Sequence, residues 1–326
     1  MNPTARIAGQ LPAGLQRGHT LIELLIAILL SLMIVAAVGS LYYFTSRSSQ
    51  TSQQLGSAEE RGRLAMHFLG EPIALAGYGN INSSNIGPRL ANIATQGPHL
   101  RACVNRRFQD PMNGNFTCVP AAPGAPGDSL FISYQSESLA GLAPQGAMND
   151  CLGQAVPPAA VPIVQNIYSV EPTAGGALEF GCTGNGAPLA PGGLIRDVED
   201  FKVYFAFDTR SHALSIGGGY NPTVRPSGLL TATQIEALPG ATDDAASQGN
   251  PWNHVIAVYV CVQLRTTDAG VTPDGVSYYR PCPQNEVEAA TGTAEVQIND
   301  GVARRSFTQV FTVRSRAQAG AGSLLQ

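Results

Sequence analysis

Lysine is almost missing from this sequence: Lys202 is the only one, and every other cationic side chain of the Lys/Arg class is an arginine. Arginine in place of lysine throughout reads as genome composition rather than function. Charge of either sign is scarce, at 13% of residues where a globular chain usually carries about a quarter. The 19 basic and 23 acidic residues leave a net charge of −4, which disfavours a general nucleic-acid binder. Arg304, Arg305, Arg314 and Arg316 form a local basic cluster, and in so acidic a chain they read as surface salt pairs rather than a DNA contact. No Cys-x-x-Cys pair occurs and no histidine stands at ligand spacing from a cysteine, so a zinc site is disfavoured. His19, His67, His99, His212 and His254 are scattered, with no serine, aspartate or cysteine partner at a telling distance. Gly217-Gly218-Gly219 lacks the Lys-Ser/Thr that completes a phosphate loop and reads as a turn. Asp243-Asp244, with Glu236 and Asp208, lacks the alternate oxygens of an ordered calcium loop. These absences predict a protein that is not an enzyme and has no metal or cofactor.

What the sequence does have is concentrated at its N-terminus. Arg17-Gly18-His19-Thr20-Leu21-Ile22-Glu23-Leu24-Leu25 joins a basic leader to a long apolar run whose one charge, Glu23, sits one turn in. Leu24 to Phe44 contains no group charged at neutral pH, about 21 residues and enough to cross a hydrocarbon core. A carboxylate at the mouth of such a helix is costly in lipid and marks a functional site. Arg6 and Arg17 precede the run and only Arg47 follows it closely, which keeps the N-terminus on the cytoplasmic side.

The helix is predicted to continue. Ser46 to Glu71 holds no proline and spaces Leu55, Ala58, Gly62, Ala65, Met66 and Leu69 three to four residues apart, a stripe suited to packing on a globular head. Glu71-Pro72 and Gly77-Tyr78-Gly79 mark its end. The domains expected are a leader at 1–18, a membrane helix at 19–45, an amphipathic continuation at 46–76 and a β-rich head at 77–326. Gly 36 and Pro 23 predict many turns and long loops in that head, and Asn80 to Asp128 and His212 to Pro251 read as irregular. Strand patterns appear at Ser129–Tyr134, Ile163–Val170, Ala177–Phe180, Val198–Phe207, His254–Leu264 and Ser306–Arg314. Strands behind one long helix predict an α+β fold with an antiparallel sheet. The cysteines are an even set of six in an exported domain, so disulfides are expected. Sequence neighbours give the most economical pairing, Cys103–Cys118, Cys151–Cys182 and Cys261–Cys282, each closing a loop rich in glycine, proline or asparagine.

The stretch from Gly18 through Thr20-Leu21-Ile22-Glu23-Leu24-Leu25-Ile26 resembles the type IV prepilin signal of pilins and pseudopilins. The resemblance implies cleavage by a prepilin peptidase between Gly18 and His19, methylation of the new amine on His19, and retention of the apolar helix. His19 stands where the family usually has phenylalanine. Glu23 becomes the fifth mature residue, the carboxylate that pairs with the terminal amine of a neighbouring subunit. Farther along, the chain looks like the PilW-type minor pilins. Phe68-Leu69 with Ala76-Gly77-Tyr78-Gly79 carries that likeness, as do Leu194–Tyr204, Trp252–Val258 and Arg304–Arg316. The segment after Phe207 departs from the family's acidic loop.

A minor pilin is implied: a type IV pilin-like structural subunit in the inner membrane and then at the pilus tip. Its partners would be other minor pilins, the major pilin, the prepilin peptidase and the inner-membrane assembly platform. Alternatives are a J-like pseudopilin of a type II secretion system and a tip adhesin or DNA-uptake subunit. Gly39 is a candidate for close helix approach.

Overall fold

The computed structural model describes residues 20–78, 99–135, 149–156, 163–186, 192–208, 228–241, 250–268, 270–272 and 275–314. The chain divides into two units, Met1–Ser52 and Gln53–Gln326, and one helix, α1 (Leu21–Leu75), contributes to both. Within the first unit its apolar side chains are exposed, Leu24, Leu29, Met33, Val35 and Leu41 each by more than half. Within the second unit Ala58, Gly62, Ala65, Met66, Leu69 and Ile73 are buried along one face. Leu55, expected in that stripe, is 45% exposed, because burial begins about one turn later at Ala58.

Of the two expected end signals, α1 runs through Glu71-Pro72 and ends at Leu75, just before Gly77. Proline lacks the N–H that would bond the carbonyl four residues back. Ile73 and Ala76, just beyond it, are fully buried, and that burial offsets the lost bond. The helix ends where Gly77 takes a φ of 72° and donates its N–H to the Ser133 carbonyl at 2.9 Å.

The strands of the second unit are β1 (Leu100–Cys103), β2 (Arg106–Asp110), β3 (Asn115–Pro120), β4 (Ser129–Gln135), β5 (Ile163–Pro172) and β6 (Leu178–Gly184), followed by β7 (Gly192–Arg196) and β8 (Val198–Phe207). After them come β9 (Leu229–Leu230), β10 (Val255–Arg265), β11 (Ser277–Tyr279), β12 (Val296–Ile298) and β13 (Arg304–Thr312), with short helices α2 (Ala232–Glu236) and α3 (Glu286–Thr291) between. Every pairing among them is antiparallel. The strands separate into a five-stranded sheet, β1-β4-β5-β6-β7, a four-stranded sheet, β13-β10-β8-β9, and two ribbons, β2-β3 and β11-β12. The fold is α+β, with more than the one sheet the sequence suggested.

Alternating apolar residues make these strands. Phe201, Val203, Phe205 and Phe207 of β8 are buried on one face, as are Val258, Val260, Val262 and Leu264 of β10. Ile256 belongs to the same alternation but is 39% exposed. A register shift between Val255 and Ala257 is the cause, since a bulge re-aims the residue inside it. His254, expected at the start of β10, closes a 3₁₀ turn, Pro251–His254, whose Trp252 is fully buried against Phe205. The stretch Asn80–Asp128, expected to be irregular, holds β1, β2 and β3, and His212–Pro251 holds β9 and α2. The β2-β3 ribbon is mostly exposed, so its strands carry little of the apolar alternation by which strands are found.

Candidate functional site

Thr20 opens α1. Its carbonyl accepts from the N–H of Glu23 at 3.0 Å and of Leu24 at 3.2 Å, and its hydroxyl also accepts from Glu23 N–H at 3.4 Å. A threonine hydroxyl turned onto an N–H of the first turn is the usual way a helix N-terminus is capped. Glu23 lies in the first turn, where a carboxylate faces the positive end of the helix macrodipole. The run that follows has an 18-residue window of mean hydropathy 2.9, none of it buried, and is long and apolar enough to cross a membrane. Its serine and threonine hydroxyls bond carbonyls of their own helix. Ser31 donates to the Ala27 carbonyl at 2.7 Å, Ser40 to Ala37 at 2.8 Å and Thr45 to Leu41 at 2.8 Å. That is what lipid demands of a polar side chain with no water beside it. Tyr42, Tyr43 and Phe44 close the run, and the Arg47 guanidinium lies 4.8 Å over the Tyr43 ring. A methyl group added at Gly39 would meet nothing within 4 Å, so the backbone there is open to close approach. Gly18 and His19 lie outside the described residues.

In the second unit the structure bonds Cys103 to Cys118, Cys151 to Cys182 and Cys261 to Cys282. Cys261 sits mid-strand in β10, and both members of its pair are fully buried. Of the basic cluster, Arg304 bonds Glu199 at 2.7 Å and Asp300 at 2.6 Å, and Arg305 reaches Glu59 at 3.2 Å. Arg316, His212, Gly217-Gly218-Gly219 and Asp243-Asp244 lie outside the described residues. Among the described residues no group of three His, Cys, Asp or Glu side chains could hold a metal ion.

One polar cluster was not anticipated. Lys202 on β8 is 3% exposed and Asp128, just before β4, is 2% exposed. Gly127, with a φ of 76°, brings its Cα against the β8 backbone, where a Cβ would stand 2.6 Å from the Phe201 carbonyl oxygen. Asp128 thereby covers the stretch of β8 edge that short β9 leaves unpaired. Its N–H donates to the Phe201 carbonyl at 2.7 Å, and its carboxylate accepts from Val203 N–H and Asn105 N–H, each at 3.0 Å. Burial pushes the Asp128 carboxyl above the ordinary range against the opposing pull of Lys202 and those N–H groups, and burial does the same to Asp200. Arg107 clamps the approach segment by donating to the carbonyls of Gly127 at 3.0 Å and Pro126 at 3.1 Å. Asn105, in the turn between β1 and β2 with a φ of 51°, meets Lys202 Nζ through its side-chain oxygen at 2.5 Å. The signal available beforehand was a lone lysine inside the apolar strand VEDFKVYFAF.

Residues 14–39 match the family model for the prokaryotic N-terminal methylation motif, which contains Gly18, His19 and Glu23. No curated protein matches the chain. Among solved structures, a type IV-like pilin from Thermus thermophilus is 16% identical, covering 79% of this chain and 97% of its own, with a TM-score of 0.36. That superposition is too loose to align individual residues. The chain therefore carries the N-terminal methylation motif of prokaryotic prepilins, on an α+β fold whose N-terminal helix is apolar enough to anchor it in a membrane.

Proposed function

We propose that this protein is a minor pilin that helps to initiate type IV pilus assembly in a tip complex with other minor pilins. The observation that carries the reading is the motif at residues 14–39 at the start of a helix whose aliphatic side chains from Leu21 to Leu41 are exposed among the described residues. A prepilin peptidase would remove residues 1–18, and methylation would follow on His19. The segment 19–45 would lie first in the inner membrane and then in the helical bundle of the fibre. Residues 46–76 would continue the helix, and 77–326 would form a periplasmic head. In this reading the protein works by packing rather than by catalysis. Glu23 aligns the subunit, because a carboxylate in a dry bundle requires a cationic partner such as a neighbour's terminal amine. The helix then leaves the membrane only by exchanging lipid contacts for contacts with other subunits, which costs little because both surroundings are apolar.

The test counts surface pili on a strain lacking this gene, complemented with the wild type or with Glu23→Ala, while secreted proteins are assayed in parallel. Loss of pili with normal secretion, restored by the wild type and not by Glu23→Ala, is the expected result. Normal pili with failed secretion would assign the subunit to a type II secretion machine as a J-like pseudopilin. Normal pili and normal secretion would overturn the assembly role, and ligand binding by the protein would then point to an adhesin or DNA-uptake subunit.

A further inference from the structure

We propose that Lys202 and Asn105 react with one another to form an intramolecular isopeptide bond, with Asp128 carrying the proton. The only lysine of the chain is buried on a central strand, a position that lysine almost never takes without a specific partner. A plain ion pair would place its ammonium nearest a carboxylate. Here Nζ lies nearest a neutral amide, 2.5 Å from Asn105 Oδ1, while Asp128 stands at 3.8 Å and Asp200 at 4.0 Å. With a carbonyl bond of about 1.23 Å, Asn105 Cγ lies no more than about 3.7 Å from Nζ, close to the separation of a near-attack pair. Both partners are held in place. Asn105 is fixed by its left-handed turn and by its N–H on Asp128, and Lys202 by its register opposite Cys261 on β10.

The chemistry balances without a co-reactant. Lys202 and Asp128 are both buried, and a buried lysine and aspartate hold their shared proton more cheaply as amine and carboxylic acid than as two ions. The Nζ lone pair attacks Asn105 Cγ, and Asp128 protonates the amide oxygen as the tetrahedral centre forms. On collapse the Cγ–Nδ2 bond breaks. Nζ gives up a proton, Nδ2 takes one, and Asp128 relays it and ends as the acid it began. One ammonia leaves through the shallow groove lined by Asn105, Asp200, Lys202 and Gln284. The product is a Cγ–Nζ amide tying the turn after β1 to the four-stranded sheet, across 97 residues of chain. Arginine could not replace lysine here, because a guanidinium stays protonated and is a poor nucleophile.

The experiment is tryptic mapping of the full-length protein, purified from membranes in detergent, reduced and alkylated. Trypsin should leave residues 102–106 joined to residues 197–210, uncut at Lys202 and lighter by one ammonia, about 17 Da. Lys202→Arg should release 102–106 as a free peptide, and Asp128→Asn should leave most chains unjoined with trypsin cutting after Lys202. Free 102–106 together with free 197–202 and 203–210 from the wild type would overturn the proposal. Asn105 recovered as aspartate would do the same. Joining of Asp128→Asn to the wild-type extent would remove Asp128 from the mechanism. The wild-type map decides the bond even if a variant fails to fold.

Discussion

Gly62 and Gly70 stand eight residues apart on α1, about 12 Å along the helix, and Phe307 and Phe311 stand four apart on β13, about 13 Å along the strand. The two spacings match, and each ring lies over a glycine. A Cβ at Gly62 would come within 2.3 Å of the Phe307 ring, and one at Gly70 within 2.9 Å of the Phe311 ring. Gly62→Val should therefore cost about 1–3 kcal/mol of unfolding free energy through overpacking. Pairing it with Phe307→Ala should return part of that loss, as a thermal or denaturant melt of the double variant would read. Asp128 gives a second residue-level expectation. Burial raises its carboxyl above the ordinary aspartate range, so between the unfolded and the folded value the folded protein holds a proton that the unfolded chain has released. This contribution is complete below the unfolded value and is lost as pH rises through the folded one. Urea melts across that window should show the wild type losing more stability with rising pH than Asp128→Asn. An equal slope in the two proteins would contradict the assignment.

At the scale of elements, α1 has two kinds of surface, and substitutions should divide accordingly. Leu69 is fully buried in the core of the second unit, so Leu69→Ala should lower the stability of that unit by about 2–5 kcal/mol. Val35, 67% exposed, touches no core, and Val35→Ala should leave the melt of that unit within about 0.5 kcal/mol of the wild type. Unfolding followed in detergent for both variants would check the contrast. The same division governs what could be read beforehand. Periodic apolar residues mark β4, β5, β8 and β10 to within a few residues, because these strands bury a face, and they mark β13, whose Phe307 and Phe311 are half-buried. The β2-β3 ribbon carries no such pattern, because short, half-exposed strands are held by pairing more than by patterned burial. At Pro72 the local rule against proline in helices yields to the burial of Ile73 and Ala76.

At the scale of the whole molecule, three disulfides lie in the second unit, and they differ in access. Cys261 and Cys282 are both fully buried, whereas Cys118 and Cys151 each leave one end of their bridges partly exposed. Thiol–disulfide exchange needs an attacking thiolate to reach a sulfur. Mild reductant without denaturant should open Cys103–Cys118 and Cys151–Cys182 before Cys261–Cys282, as timed alkylation and mass mapping would show. Simultaneous opening of all three would mean that the unit unfolds as a whole before any bridge is reduced. Replacing Cys261 and Cys282 by serine should cost about 2–5 kcal/mol, the usual range for a native bridge.

The N-terminal motif, the apolar helix and the strands with strong alternation are legible in the sequence, because each rests on composition and period within one short window. The sequence also displayed a solitary lysine, though not what surrounds it. The division of the strands into two larger sheets and two ribbons and the exposure of Ile256 were set by the tertiary structure alone. So was the meeting of Asn105, Asp128 and Lys202. They come from three separate stretches of chain, and only the turn after β1, the left-handed Gly127 and the uncovered edge of β8 bring them to one place. Local patterns specify what one segment can bury, whereas a contact between distant segments depends on where every other segment has already packed.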